Sequence, residues 1–97
     1  MIAIFAKPFD LIEGEKTNYY YPLESTGIAI GSLINCLHQS GLATLTHTPS
    51  PMNFLNKVLE QPPQYKAMIL LIVGYPEEGT EVPEITRKPL DQVAEFI

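Results

Sequence analysis

Hydrophobic positions along the chain fall into short clusters, separated by proline, glycine and charge. Ile2 to Phe5 is an apolar run closed by Pro8, and it predicts a buried strand. Such a strand should lie mid-sheet, with neighbours supplied from later in the chain or from elsewhere. Asp10 to Asn18 is polar with a glycine in it, and predicts a surface loop. The longest regular element is expected from about Tyr20 or Pro22 to Ser40. Ile30, Leu33, Ile34 and Leu37 keep helical spacing, and Gly41 suits the C′ position.

The middle of that helix is unusual. Gly27 and Gly31 share one face beside Ala29, and each mid-helix glycine costs about 1 kcal/mol relative to alanine. A close backbone approach explains the cost, and either a tight crossing inside one core or a subunit contact supplies it. A helix this apolar also needs cover on most sides.

Leu42 to Leu45 predicts a second strand running into Thr46-His47-Thr48. Ser50-Pro51 suits an N-cap followed by proline at N1, with Phe54, Leu55, Val58 and Leu59 as the apolar stripe of a short helix that Gln61-Pro62-Pro63 stops. Met68 to Val73 is the clearest buried strand, ended by Gly74-Tyr75-Pro76. Glu77 to Glu84 is an acidic loop. Pro89 then opens a last short helix, Leu90 to about Phe96. The order strand, helix, strand, helix, strand, helix gives α+β or α/β with one small sheet, in a single unit over residues 1–97.

Composition narrows the partners. The 97 residues are 45% hydrophobic and 18% charged, with a net charge of −5. That is a globular balance, and with no Lys/Arg cluster it makes nucleic acid an unsuitable partner. The single Cys36 excludes an internal disulfide and fits a reducing cytoplasm. Ala67 to Val73 is too short to span a bilayer, and Met1 to Phe5 lacks the features of a signal peptide. A soluble cytoplasmic protein with no membrane partner is expected, binding small molecules or a second copy of itself.

Familiar chemical motifs are mostly missing. There is no GxGxxG, no P-loop and no paired-cysteine spacing. His38 and His47 have no acidic or cysteine partner at ligand spacing, so no metal site is expected. Cys36 sits in an apolar helix, where a small buried hydrophobe is the default. Tyr19-Tyr20-Tyr21 suits an aromatic wedge at the helix start. Two places stand out. Thr46-His47-Thr48-Pro49 concentrates hydroxyls and free amides where a strand leaves the core. That suits an aromatic ligand with heteroatoms at its edge, or plain turn chemistry. Arg87 is the sole arginine, beside Lys88 at an expected helix start. It suits an anion such as phosphate, or a surface pair with Glu84 or Asp91.

Taken together, these segments resemble a known family. Glu24-Ser25-Thr26-Gly27-Ile28-Ala29-Ile30-Gly31 with Gly41-Leu42 resembles the long central helix of FMN-dependent nitroreductases. Leu71-Ile72-Val73-Gly74-Tyr75-Pro76 resembles that family's strand end, and Val82 to Leu90, through Arg87-Lys88-Pro89-Leu90, resembles its tail. Thr46-His47-Thr48-Pro49 is similar to the threonine-rich turn of the iodotyrosine-deiodinase-like branch, with His47 in place of the threonine of vertebrate-type members.

The resemblance implies a three-layer α/β/α fold of the α+β class, of which residues 1–97 are a carboxy-terminal, partial FMN-binding domain. It implies a homodimer with FMN at the subunit interface, NAD(P)H as electron donor, and an aromatic or other oxidised acceptor. By position, Arg87 contacts the FMN phosphate, and Thr46, His47 and Thr48 line the isoalloxazine, with the Thr48 hydroxyl near N5 as the candidate catalytic contact. On this reading the cofactor carries the hard chemistry. The family's amino-terminal Arg-Arg-Ser clamp and substrate lid have no counterpart, so a truncated or split gene product is expected. The competing reading is a non-catalytic fragment, at most a dimerisation or flavin-binding module.

Overall fold

Lys66-Ala-Met-Ile-Leu-Leu-Ile-Val-Gly74 is the strand around which the chain folds. In the computed structural model, which describes all of residues 1–97, its consecutive Leu70 and Leu71 are both buried, Leu71 completely. Neighbouring strand residues point to opposite faces, so both faces of this strand are covered, as an apolar run without alternation requires.

The elements in chain order are β1 (Ile2–Ala6), β2 (Phe9–Ile12), β3 (Glu15–Asn18), α1 (Pro22–Gln39), β4 (Ala43–His47), α2 (Phe54–Val58) and β5 (Lys66–Gly74), with a 3-10 turn at Leu90–Gln92. The sheet order is β1-β5-β4, antiparallel throughout. Register pairs Ile2 with Leu71, Ala3 with Leu70, Leu45 with Ile72 and His47 with Leu70, with a bulge between Ile4 and Phe5. Helix α2 covers one face, where Leu55 packs with Ala67 and Leu70, flanked by Ala3, Phe5 and Met52. Helix α1 covers the Leu71 face and lies against β1 and β4. Helix, sheet, helix is the α+β arrangement the sequence predicts.

Helix α1 turns one stripe inward: Pro22, Thr26, Ile30, Leu33, Ile34 and Leu37, of which Ile30 is buried. It ends in a Schellman motif. The Leu42 N–H donates to the Leu37 carbonyl and the Gly41 N–H to the His38 carbonyl, with Gly41 at φ +82°. Helix α2 ends the same way on a less suited residue. Glu60 stands at φ +51°, with the Gln61 N–H bonded to the Asn56 carbonyl. The Asn56 amide then donates to the Pro62 and Tyr65 carbonyls, both at 2.8 Å, and ties the following loop to the helix.

Several expectations are corrected. Asp10 to Asn18 is not a loop but the β2–β3 hairpin, turned at Glu13 (φ +53°) and Gly14 (φ +80°). Positive φ at both central residues is the turn that matches strand twist. The Asp10 carboxylate anchors its base, accepting from Lys7 Nζ at 2.8 Å and from the Tyr19 hydroxyl at 3.1 Å. Helix α2 starts at Phe54 with Asn53, not Ser50, as N-cap. Leu55 bonds back to Met52 and Asn56 to Asn53, a tighter turn that delays the helix. Strand β1 is an edge strand here, paired only with β5. The last helix shrinks to the 3-10 turn Leu90–Gln92, because Leu90, Val93 and Phe96 are all exposed and have no surface to pack on.

Only six residues are buried, and the chain exposes 8308 Å². A compact chain of this mass would expose about 5,500 Å². The radius of gyration is 17.2 Å, against about 12.5 Å for a compact domain of this length. The fold leaves much of its apolar surface open.

Candidate functional site

Strand β4 carries three candidate residues to the edge of the sheet. Thr46 pairs with Leu71 and His47 with Leu70. Pleat alternation therefore turns Thr46 toward the α1 side and His47 toward the α2 side. The structure brings Thr46, His47 and Thr48 together as one backbone segment, not as three side chains on one surface. All three are exposed, and Thr48 lies just past the last strand residue, before half-buried Pro49. None of their side chains makes a hydrogen bond within the chain. These donors are uncommitted.

Arg87 is equally free. It lies in the exposed stretch from Tyr75 to Pro89, which has no regular structure, and it makes no ion pair. The expected surface pair with Glu84 or Asp91 does not form; the molecule's one ion pair is Lys7–Asp10. No hydrogen bond ties Arg87 to β4, so the phosphate candidate and the threonine turn are separate features within this chain.

Sequence reasoning missed what flanks the turn. Leu45 and Ile72 are cross-strand partners on the His47 face, 58% and 42% exposed, and with Ala43, Val73 and Tyr75 they line a shallow hollow. Alternation of Ala43, Leu45 and His47 was the available signal. A flat apolar floor beside uncommitted polar groups is what an aromatic ring with a heteroatom edge needs.

The glycine face of α1 is open. A Cβ placed on Gly27 or Gly31 would meet nothing within 4 Å, which removes a tight crossing inside this chain as the reason for those glycines. Ile28, on the same outer side, is 73% exposed. Cys36 is exposed rather than buried, because it lies outside the Ile30–Leu33–Ile34–Leu37 stripe. No helix is long and apolar enough to cross a membrane.

No family model matches the chain. A protein named iodotyrosine deiodinase from Haliscomenobacter hydrossis is 48% identical over 91% of this chain, which covers 40% of that protein. The iodotyrosine deiodinase of Nematostella vectensis is 38% identical over 96% of the chain and 36% of its own length. Iodotyrosine deiodinase 1 of Homo sapiens is 42% identical over 82% of the chain and 28% of its own length. A nitroreductase family protein from Streptococcus pneumoniae superposes with a TM-score of 0.66 at 25% identity, over 79% of this chain and 38% of that one. The chain thus spans well under half the length of the relatives it matches. Over the stretch that it spans, the chain belongs to the nitroreductase family, on its iodotyrosine-deiodinase-like branch.

Proposed function

We propose that this chain is the carboxy-terminal portion of an FMN-dependent oxidoreductase, a cytoplasmic homodimer that passes reducing equivalents from NAD(P)H through FMN to an aromatic acceptor. The observation that carries the reading is the 48% identity, over 91% of the chain, to a protein named iodotyrosine deiodinase. That name makes a halogenated tyrosine the acceptor class to test first.

The residues present fit a flavin. Thr46, His47 and Thr48 offer donors that no intrachain partner occupies, beside the apolar Leu45–Ile72 floor, and Arg87 is a free guanidinium. When bound, the flavin supplies the redox chemistry. The chain's own groups position it. Backbone amides and hydroxyls of the turn hydrogen-bond the ring edge, Thr48 being the contact nearest the chemistry, and Arg87 binds the phosphate with a charge-assisted pair. Because Arg87 is not tied to β4, it reaches the phosphate only when the tail is ordered by the ligand or by a second subunit.

The test is reconstitution with the remainder of the fold, taken from the Haliscomenobacter relative. The assembly should bind FMN, turn yellow and oxidise NAD(P)H. Arg87→Ala should weaken FMN binding by about 1–3 kcal/mol, the worth of a hydrogen bond to a charged group. Unchanged affinity would remove Arg87 from the phosphate site.

A second reading is favoured by the thin core of six buried residues. By itself the chain is a non-catalytic fragment, serving at most in dimerisation or flavin binding. Size exclusion with absorbance in the flavin band separates the two: a colourless peak that neither dimerises nor binds FMN supports the fragment.

A further inference from the structure

The Asn56 amide spends both of its N–H groups on the loop after α2, donating to the Pro62 and Tyr65 carbonyls at 2.8 Å each. Its side-chain oxygen is therefore fixed in direction, and no donor in the chain reaches it. Asn56 lines an open hollow of about 380 Å³ between the start of α2 and the start of β5. Around the same hollow stand the Asn53 and Gln64 amides, the Tyr65 hydroxyl and the Lys66 ammonium. None of these four side chains makes a hydrogen bond or ion pair within the chain. Gln64 and Tyr65 are half-buried, so their polar ends are held near one place without a partner. Met52 and Pro63 add apolar surface to the walls.

We propose that this hollow binds an adenine nucleotide. A side-chain amide recognises the adenine edge with an acceptor for the exocyclic amino group and a donor for a ring nitrogen. Asn56 is restricted to the first role, because its N–H groups are committed, and the free amides of Asn53 and Gln64 supply the second. The flat base packs on Met52 and Pro63, and Lys66 pairs with the phosphate. Simpler occupants use less of the site. A bare phosphate engages Lys66 and leaves the amides idle, and an apolar ring covers Gln64 and Tyr65 without pairing them, which costs free energy. Pro51, at the rim, stands three residues after Thr48, at most about 11 Å along the chain. The hollow thus adjoins the threonine turn. Adenylate occurs free and as one end of NAD(P)H, and both sources carry the chemistry recognised here. The site stands on its own groups and does not rest on the flavin reading.

The test titrates the isotope-labelled protein, without flavin, and follows its nuclear magnetic resonance spectrum. The probes are adenosine monophosphate, inosine monophosphate, nicotinamide mononucleotide, inorganic phosphate and NADH. Adenosine monophosphate should shift the side-chain amide signals of Asn53 and Gln64 and the backbone amide of Lys66 along one saturable curve. Inosine monophosphate, with a carbonyl where Asn56 needs an amino group, should bind about tenfold more weakly. Nicotinamide mononucleotide and phosphate should leave these signals in place. Gln64→Ala and Lys66→Met should each weaken adenosine monophosphate binding about tenfold with an unchanged circular dichroism spectrum. Lys16→Glu on the remote hairpin should leave binding unchanged and serves as the control. NADH shifting the same signals makes the dinucleotide an occupant; NADH without effect confines the site to the free nucleotide. No shift with about 10 mM adenosine monophosphate, equal binding of inosine monophosphate, or the same shifts with phosphate alone overturns the proposal. FMN binding by the reconstituted assembly is read separately, so this site and the proposed function can fail independently.

Discussion

Gly27 and Gly31 make opposite predictions for the chain alone and for its assembly, and this is what makes them informative. Both sit in the interior of an 18-residue helix, at ordinary helical φ, and an added Cβ at either meets nothing within 4 Å. With no steric cost inside the chain, only helix propensity remains. Alanine is better than glycine by about 0.8–1.0 kcal/mol per site, so the double variant Gly27→Ala/Gly31→Ala should stabilise the monomer by about 2 kcal/mol. In a domain of this size that raises Tm by roughly 8–16 °C. If the face serves close approach of a second subunit, the same two methyl groups overpack that contact and cost about 1–3 kcal/mol. Association then weakens roughly 5- to 150-fold. Circular dichroism melts at micromolar concentration read the first effect, and sedimentation equilibrium across a concentration series reads the second. Destabilisation of the monomer would show that the open space around these glycines is wrong. A stabilised monomer with unchanged association would refute the close-approach surface.

Leu71 is the one completely buried large side chain, and Leu71→Ala should cost about 2–5 kcal/mol, enough with so small a core to abolish the cooperative urea transition. The two helix ends give opposite signs. Gly41→Ala forces a Cβ into φ +82° and should destabilise by about 1 kcal/mol, whereas Glu60→Gly at φ +51° relieves the same strain and should be neutral or stabilising by up to about 1 kcal/mol in urea melts. In the hairpin, the Lys7 ammonium and then the Tyr19 hydroxyl hold the Asp10 carboxyl below its usual range. Its folded pKa is depressed, so the stabilisation it brings is present above the unfolded value and is lost as pH falls through the folded one. Hairpin amides should therefore lose protection, relative to the intrinsic exchange rate at each pH, below about pH 4, and Asp10→Asn should remove that loss. A hairpin whose exchange is indifferent to Asp10→Asn would show the network to be idle.

Much of the sheet and the long helix was legible because each element carries its own period. The apolar run ending at Val73 and the Ile30–Leu37 stripe are local signals, and Gly41 punctuates the helix where it ends. The hairpin was not legible. Its turn uses Glu13 at positive φ, a residue that carries no turn signal, and Glu15–Asn18 has no apolar alternation because the whole strand is exposed. The stretch from Leu90 to about Phe96 was expected to form a short helix, but a short helix persists only where something covers it, and here Leu90, Val93 and Phe96 are all exposed. The threonine turn was visible as chemistry. What sequence left out was the pleat, which separates Thr46 from His47, and the cross-strand register that sets Ile72 beside Leu45. Arg87 could be singled out by scarcity, but a residue in an unstructured stretch has no local rule that fixes its position.

These gaps have one physical origin. The open apolar groove between β1 and α2, the bare glycine face of α1 and the exposed apolar tail lie on different parts of a molecule extending 53 × 43 × 26 Å. Each is a surface that nothing within these 97 residues covers. The candidate flavin groups stand at the margins of such surfaces: the turn at the end of edge strand β4, and Arg87 on the tail. Flavin binding and assembly are therefore expected to act on the same equilibrium. A ligand at a hundredfold its Kd adds about 2.7 kcal/mol to the state that binds it. That is the order of the gain expected from both glycine substitutions together, and a large fraction of what a core of six buried residues can hold. On the proposed function, ordering the tail by FMN and covering the faces by protein would be two contributions of similar size to one folded assembly.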